Sequence, residues 1–234
     1  LIAEAYDVLK RVGGKSNAEI GNLFTKWNEG RLNSFLMEIS AEIMKQPDDK
    51  KSGDLIDAIL DKAKQKGTGK WTSQTSMDLG VPVPTIDSAV AMRGISSFKP
   101  FREQLSETFT IPHKGEVTIK GEGLENDVEA ALYFSFIVCY AQGMHLLAEA
   151  SEELKYDLDL EGIARIWRGG CIIRATLLEQ IRKAYSADSS LKNMLGNEQF
   201  AGSLQSTRNA AAEVLRLSVE RGVSTMCLSS ALQY

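Results

Sequence analysis

The feature that most constrains this chain is an internal repeat whose landmarks keep their order. "LIAEAYDVL" at Leu1–Leu9 resembles "LLAEASEEL" at Leu146–Leu154. Trp27-Asn28-Glu29-Gly30 shares its Trp and final Gly with Trp167-Arg168-Gly169-Gly170, and "GVPVPTIDSAV" from Gly80 aligns with "GVSTMCLSSAL" from Gly222. Helices of common composition account for the shared residue types but not for the shared order, so the sequence predicts a duplicated unit. Repeat one covers residues 1–95, a connection 96–126, and repeat two 127–234. The second copy has an apolar lead-in, Glu129–His145, that the first lacks, while the first runs past Ser88-Ala89-Val90 to Arg93 and the second stops at Tyr234. With no initiator Met, both comparisons lead us to expect a fragment cut at each end.

Helical periodicity sets the fold class. Apolar residues recur at helical spacing over 1–12, 18–45, 55–66, 83–95, 126–154, 160–185 and 201–219. Turn-rich clusters separate them: Gly13–Asn17, Gln46–Asp49 and Ser186–Ser189. Ser16 or Asn17, ahead of Glu19, is the expected cap of the second helix. Thr108–Lys120, "TFTIPHKGEVTIK", has two alternating arms around a turn and suits either a short hairpin or an irregular loop. The expected fold is all-α, a duplicated helical bundle with at most one short hairpin.

Composition narrows the function classes. A net charge of −4, with 27 Lys and Arg against 31 Asp and Glu, gives no global attraction to nucleic acid or to an anionic membrane, so any anion site must be a local concentration of cations. Cys139, Cys171 and Cys227 sit among apolar neighbours without paired metal-ligand spacing, which predicts buried free thiols in a reducing, cytoplasmic setting and no metal. His113 falls in a loop-like Pro-His-Lys-Gly run and His145 in an apolar helical pattern; neither has a second ligand nearby. The apolar run Ala130–Ala141 is too short to span a bilayer and suits a helix buried all round, in a bundle or a subunit contact.

One stretch carries more chemistry than the rest: "KQKGTGKWTS", Lys64–Ser73. A nucleotide P-loop requires Gly, four residues, then Gly-Lys-Ser/Thr after a strand. Here Lys64 occupies the place of the first glycine, Trp71 follows Lys70, and the preceding "DLIDAILDKAKQK" has a helical pattern. What remains is a glycine turn, expected as a helix C-cap, with Thr72 or Ser73 starting the next helix and Lys66 and Lys70 flanking it. The second repeat has "SSLKNMLGNEQF" in this region, so the lysine–glycine feature is not required by the shared scaffold. Arg93 lies among small residues, "AVAMRGISS", which leave room beside a guanidinium. Lys66, Lys70 and Arg93 together form a candidate dianion clamp; the alternative is a glycine cap with solvated lysines and a surface ion pair.

"ILDKAKQKGTGKWT" at Ile59–Thr72 strongly resembles the signature of decarboxylating 6-phosphogluconate dehydrogenases. The resemblance extends over "LIAEAYDVLK", "GTGKWTSQTSMDLGVPVP", the Arg93 segment, "YAQGMHLL" and "IWRGGCIIRATLL", which are similar to the large helical C-terminal portion of that family. It implies oxidation of 6-phosphogluconate with NADP and decarboxylation to ribulose 5-phosphate, in a homodimer whose interface is helical. It also implies that Lys66, ahead of Lys70, and Arg93 contact the substrate's phosphate end. No catalytic residue is expected in this chain. The family's NADP-binding Rossmann domain, catalytic lysine and glutamate, and substrate-binding tyrosine would precede Leu1, and the arginine and histidine of its tail would follow Tyr234, so the chain alone is expected to be inactive. Residues 96–126 fit the family poorly. Two other readings stand beside this one: a non-catalytic helical interaction module, and a related β-hydroxyacid dehydrogenase.

Overall fold

A side-chain cap sets where the second helix starts. In the computed structural model, which describes residues 1–109 and 122–234, α1 (Ile2–Arg11) is followed by a turn in which the Ser16 hydroxyl accepts from Glu19 N–H and the Glu19 carboxylate accepts from Ser16 N–H. This capping box opens α2 (Asn17–Asn28) and makes Ser16, of the two candidates, the cap. There follow α3 (Phe35–Ile43), α4 (Leu55–Ala58), α5 (Thr68–Asp78), α6 (Pro84–Ser97) and α7 (Lys99–Thr108). The chain continues through α8 (Glu122–Glu153), α9 (Leu160–Ile166), α10 (Leu177–Ala187), a 3-10 turn at Met194–Gly196, α11 (Glu198–Glu220) and α12 (Met226–Gln233). The described residues contain no strand, only isolated bridges, so the fold is all-α as expected. The possible hairpin at Thr108–Lys120 and His113 lie, apart from Thr108 and Phe109, outside the described residues.

Three expected helices are shorter than their periodicity implies. The run 18–45 breaks between α2 and α3, where Asn28 Oδ1 accepts from Ser34 N–H at 2.9 Å and Asn33 Nδ2 donates to Asn28 O at 2.6 Å. The run 160–185 breaks between α9 and α10. The two interruptions bond to each other: Phe35 N–H donates to Arg174 O at 3.0 Å and Thr176 N–H to Asn33 O at 2.9 Å, an antiparallel bridge centred on Ser34 and Ala175. Backbone pairing between distant segments has overridden local helix preference. The run 55–66 shrinks to α4, for reasons that belong to the site described below.

One pair of aligned landmarks, Gly80 and Gly222, adopts the same local geometry. Gly80 and Gly222 both have positive φ, +67° and +63°. Gly80 N–H donates to Met77 O at 3.2 Å and Val81 N–H to Ser76 O at 2.9 Å; Gly222 N–H donates to Val219 O at 3.2 Å and Val223 N–H to Ser218 O at 2.9 Å. These are matching glycine-terminated helix ends, and Ser76 and Ser218 beneath them are both buried. The helices that follow, α6 and α12, pack against each other.

The core is built around α8, which contacts α11 along its length and also packs on α1, α6 and α12. Leu132, Ile137, Ala141 and Met144 on α8 are fully buried, together with Leu9, Ile20, Phe24, Phe200 and Val214. Each of these side chains other than Ala141 contributes roughly 1.5–3 kcal/mol on burial. Helix α8 is longer than its central apolar run: Gly123–Glu153 is long and apolar enough by length and composition to cross a membrane, but most of its apolar window is buried inside the protein. Cys227 is buried as expected, whereas Cys139 and Cys171 are half-buried; all three are free thiols. His145 Nε2 lies 3.7 Å from Glu149 on the same helix, a local pairing rather than part of a site. The described residues contain no cluster of side chains suited to a metal.

Candidate functional site

The stretch between α4 and α5 is extended and irregular because its polar groups bond outward instead of along a helix. Ile59, just past α4, has φ −69° and ψ 127°. The Asp61 carboxylate accepts from Lys99 Nζ and from Arg102 at 3.1 Å, and Arg102 also donates to the backbone carbonyls of Asp61 at 2.8 Å and Ser96 at 3.2 Å. Ala63 N–H donates to Ser96 Oγ at 3.0 Å, and Gln65 Nε2 donates to Val90 O at 3.1 Å. Competition from α6 and α7 therefore explains why the helical pattern of 55–66 is not realised.

This changes the role of the glycine turn. Gly67 is not the C-cap of a preceding helix: at φ +111° it is the N-cap of α5, which begins at Thr68 rather than at Thr72 or Ser73. Trp71 N–H makes the first bond to Gly67 O, at 2.9 Å. The N–H groups of Thr68, Gly69 and Lys70 therefore precede the intrahelical ladder, and the helix start is a natural seat for an anion. The two glycines serve different needs. Gly67 supplies a backbone conformation that L side chains rarely adopt, and the Trp71 indole lies over it. Gly69 supplies space, since a Cβ there would sit 3.0 Å from Val90 Cγ2. Ser73 Oγ then donates to Asp87 Oδ1 at 2.6 Å, closing α5 onto α6.

The three candidate cations lie about this junction. Lys66 immediately precedes Gly67, and Lys70 is in the first turn of α5. Arg93 lies on α6 between Val90 and Ser96, the two residues that hold the Lys66 segment, and its carbonyl accepts from Ser96 Oγ at 3.2 Å. Successive steps of three keep Val90, Arg93 and Ser96 on one side of the helix. All three cations are exposed, and none of their side chains has a hydrogen bond or ion pair among the described residues. Lys99, Arg102, Arg182 and Arg216, by contrast, are each held by carboxylates. Among the described residues Arg93 therefore has no ion pair of the kind the alternative reading requires. The sequence reading missed the parts that organise the junction: Asp61, Gln65, Ser96 and Arg102. The only sequence signal for them was the density of polar residues in 61–65 and 96–102.

The structure also contains an apolar groove of about 800 Å³ between α1, α3, α6 and α8, but Lys66, Lys70 and Arg93 do not line it. Its walls offer few polar groups, so the cationic junction and not the groove is the better seat for a charged ligand.

Fold and site define an all-α domain that presents a cationic glycine turn at the start of one helix, bound to the flank of a second. The chain belongs to the family of 6-phosphogluconate dehydrogenase C-terminal domains, whose model matches residues 1–234. It is 46% identical over 234 residues to the decarboxylating 6-phosphogluconate dehydrogenase of Lactococcus lactis subsp. lactis (strain IL1403), covering all of this chain and 49% of that one. It is 44% identical to the NADP(+)-dependent, decarboxylating 6-phosphogluconate dehydrogenase of Bacillus subtilis (strain 168), covering all of this chain and 50% of that one. Among solved structures it is similar to Plasmodium falciparum 6-phosphogluconate dehydrogenase, described in its apo form and in complex with NADP+ and with 6-phosphogluconate, at a TM-score of 0.96 and 36% identity over the whole of this chain and 50% of that one. The chain spans about half the length of the relatives it matches.

Proposed function

We propose that this chain is the substrate-binding and dimer-forming helical half of an NADP-dependent, decarboxylating 6-phosphogluconate dehydrogenase, and that Lys66 and Arg93, with Lys70 as a further contact, hold the phosphate of 6-phosphogluconate. The observation that carries this reading is the junction of three cations, unpaired among the described residues, with the open N–H groups of α5. A phosphate dianion there would gain charge-assisted bonds from the side chains and hydrogen bonds from the helix start. NADP, the acid and base groups and the remaining walls of the substrate site would come from other segments of the enzyme and from a second subunit. Gripping the phosphate would fix the far end of the substrate and so orient the carbon that is oxidised, making remote binding energy serve the chemistry. We further propose that the domain arose as a duplication with the boundaries 1–95, 96–126 and 127–234; the matching helix ends at Gly80 and Gly222 support it.

The test is kinetic. In the complete enzyme, Lys66→Ala or Arg93→Ala should raise KM for 6-phosphogluconate by about 10- to 100-fold, the equivalent of one lost charge-assisted hydrogen bond, with KM for NADP unchanged. An unchanged KM for 6-phosphogluconate in either variant removes that residue from the phosphate site. The same measurement on Lys70→Ala decides whether both lysines take part.

A further inference from the structure

A lysine on an irregular segment has no position of its own, because nothing in its local structure fixes its backbone. Between α4 and α5 the chain runs from Ile59 to Gly67 without helix or strand, and Lys66 is at its end. Three tethers hold this run to the neighbouring helices, and they fall on alternate residues. Asp61 is gripped by Lys99 and Arg102, Ala63 N–H is bound by Ser96 Oγ, and Gln65 Nε2 reaches the carbonyl of Val90. Lys62, Lys64 and Lys66, the residues after each tether, are all exposed. Ser96 is also the link to the second cation, since its hydroxyl takes the Ala63 N–H and donates to the carbonyl of Arg93. Gln65, next in sequence to Lys66, anchors to α6 one turn before Arg93.

We propose that Gln65 and Ser96 are positioning residues that set the spacing between Lys66 and Arg93, converting two mobile cations on separate elements into one grip sized for a phosphate; the proposal rests on the reading of Lys66 and Arg93 given above. Neither residue needs to touch the ligand. Losing a tether leaves both cations present but lets the Lys66 backbone move relative to α6, so affinity for the phosphate end falls while the chemical step, once substrate is bound, is preserved.

The experiment is a set of double-mutant cycles in the complete enzyme, read as KM and kcat with 6-phosphogluconate, KM for NADP and the melting temperature. Gln65→Ala and Ser96→Ala should each raise KM for 6-phosphogluconate by about three- to tenfold, the effect of one neutral hydrogen bond. The KM for NADP should not move, and kcat should change less than about twofold. Ser96→Thr, which keeps the hydroxyl, should stay near the parent. In a Lys66→Ala background the effect of Gln65→Ala should fall below about twofold, because a positioning residue has nothing left to position. A full-sized effect of Gln65→Ala in that background overturns the proposal, as does a loss of kcat that follows the melting temperature. If Lys66→Ala and Arg93→Ala raise KM but the tether variants do not, positioning alone fails. If Lys66→Ala and Arg93→Ala leave KM unchanged, the phosphate reading fails first.

Discussion

Gly67 and Gly69 are two residues apart, yet the structure predicts that replacing each by alanine fails for a different reason. At Gly67 there is room: an added Cβ would meet the Trp71 ring no closer than 3.5 Å. The backbone is the obstacle, since φ +111° is held by glycine and strained for alanine, at a cost of about 1–3 kcal/mol. In a domain of this size each kcal/mol lowers the melting temperature by roughly 2–4 °C. At Gly69 the backbone is helical and alanine should gain about 1 kcal/mol in helix propensity. The obstacle there is Val90, whose Cγ2 would sit 3.0 Å from the new methyl, and relieving such overpacking costs about 1–3 kcal/mol. A second substitution separates the two cases. Val90→Ala should turn Gly69→Ala from neutral or destabilising into stabilising, and should leave the loss from Gly67→Ala unchanged. Urea unfolding of the three single and two double variants measures this. A Gly67→Ala change below about 0.5 kcal/mol would refute the backbone argument, and a Gly69→Ala effect that is the same with and without Val90 would refute the packing of α5 on α6 described above.

Two further predictions concern the supports of the site. Gln142 on α8 accepts from Thr85 N–H and donates to Thr85 Oγ1, each at 3.0 Å, with both residues buried, and this pair fixes the start of α6. Gln142→Leu should cost about 2–4 kcal/mol in urea unfolding by leaving both Thr85 groups unpaired; a loss under about 1 kcal/mol would mean that the pair contributes little. The second concerns Asp61, whose carboxyl is held below the ordinary carboxylate range by the hydrogen bond from Lys99 first and that from Arg102 second. A group depressed on folding stabilises above its unfolded value, near about 4, and loses that contribution as pH falls through the folded value. The gap in urea midpoint between the parent and Asp61→Asn should therefore be constant from about pH 5 to 8 and close as pH is lowered below the carboxylate range. A gap that does not narrow as pH falls below about 4 would contradict the ion-pair origin of the tether.

The parts of this fold that were legible in the sequence are those governed by local rules. The cap ahead of Glu19 follows from residue type and spacing, and the buried helix around Ala130–Ala141 from its unbroken apolar run. What periodicity could not show was long-range competition. The pattern of 55–66 is helical, but Lys99, Arg102, Ser96 and Val90 draw its polar groups away. The patterns of 18–45 and 160–185 are likewise interrupted by backbone bonds to each other, across more than half the chain. The site shows the same division. Lys66, Lys70 and Arg93 stand out by residue type and by their glycine-rich or small-residue neighbours. Gln65, Ser96 and Arg102 do not, because their roles exist only once α6 and α7 lie beside the turn. The glycine turn itself was recognised but assigned to the wrong end of a helix, and moving it to the start of α5 makes its N–H groups available to an anion.

The central claim is that the start of α5 and its flanking cations bind the phosphate of a sugar acid. Backbone amide NMR of this chain, titrated in parallel with 6-phosphogluconate, inorganic phosphate and unphosphorylated gluconate, tests it most directly. The prediction is that 6-phosphogluconate and phosphate shift the amides of Thr68, Gly69 and Lys70, that gluconate does not, and that Lys66→Ala abolishes the shift. Equal shifts with gluconate, or shifts that leave these three amides untouched, would contradict it.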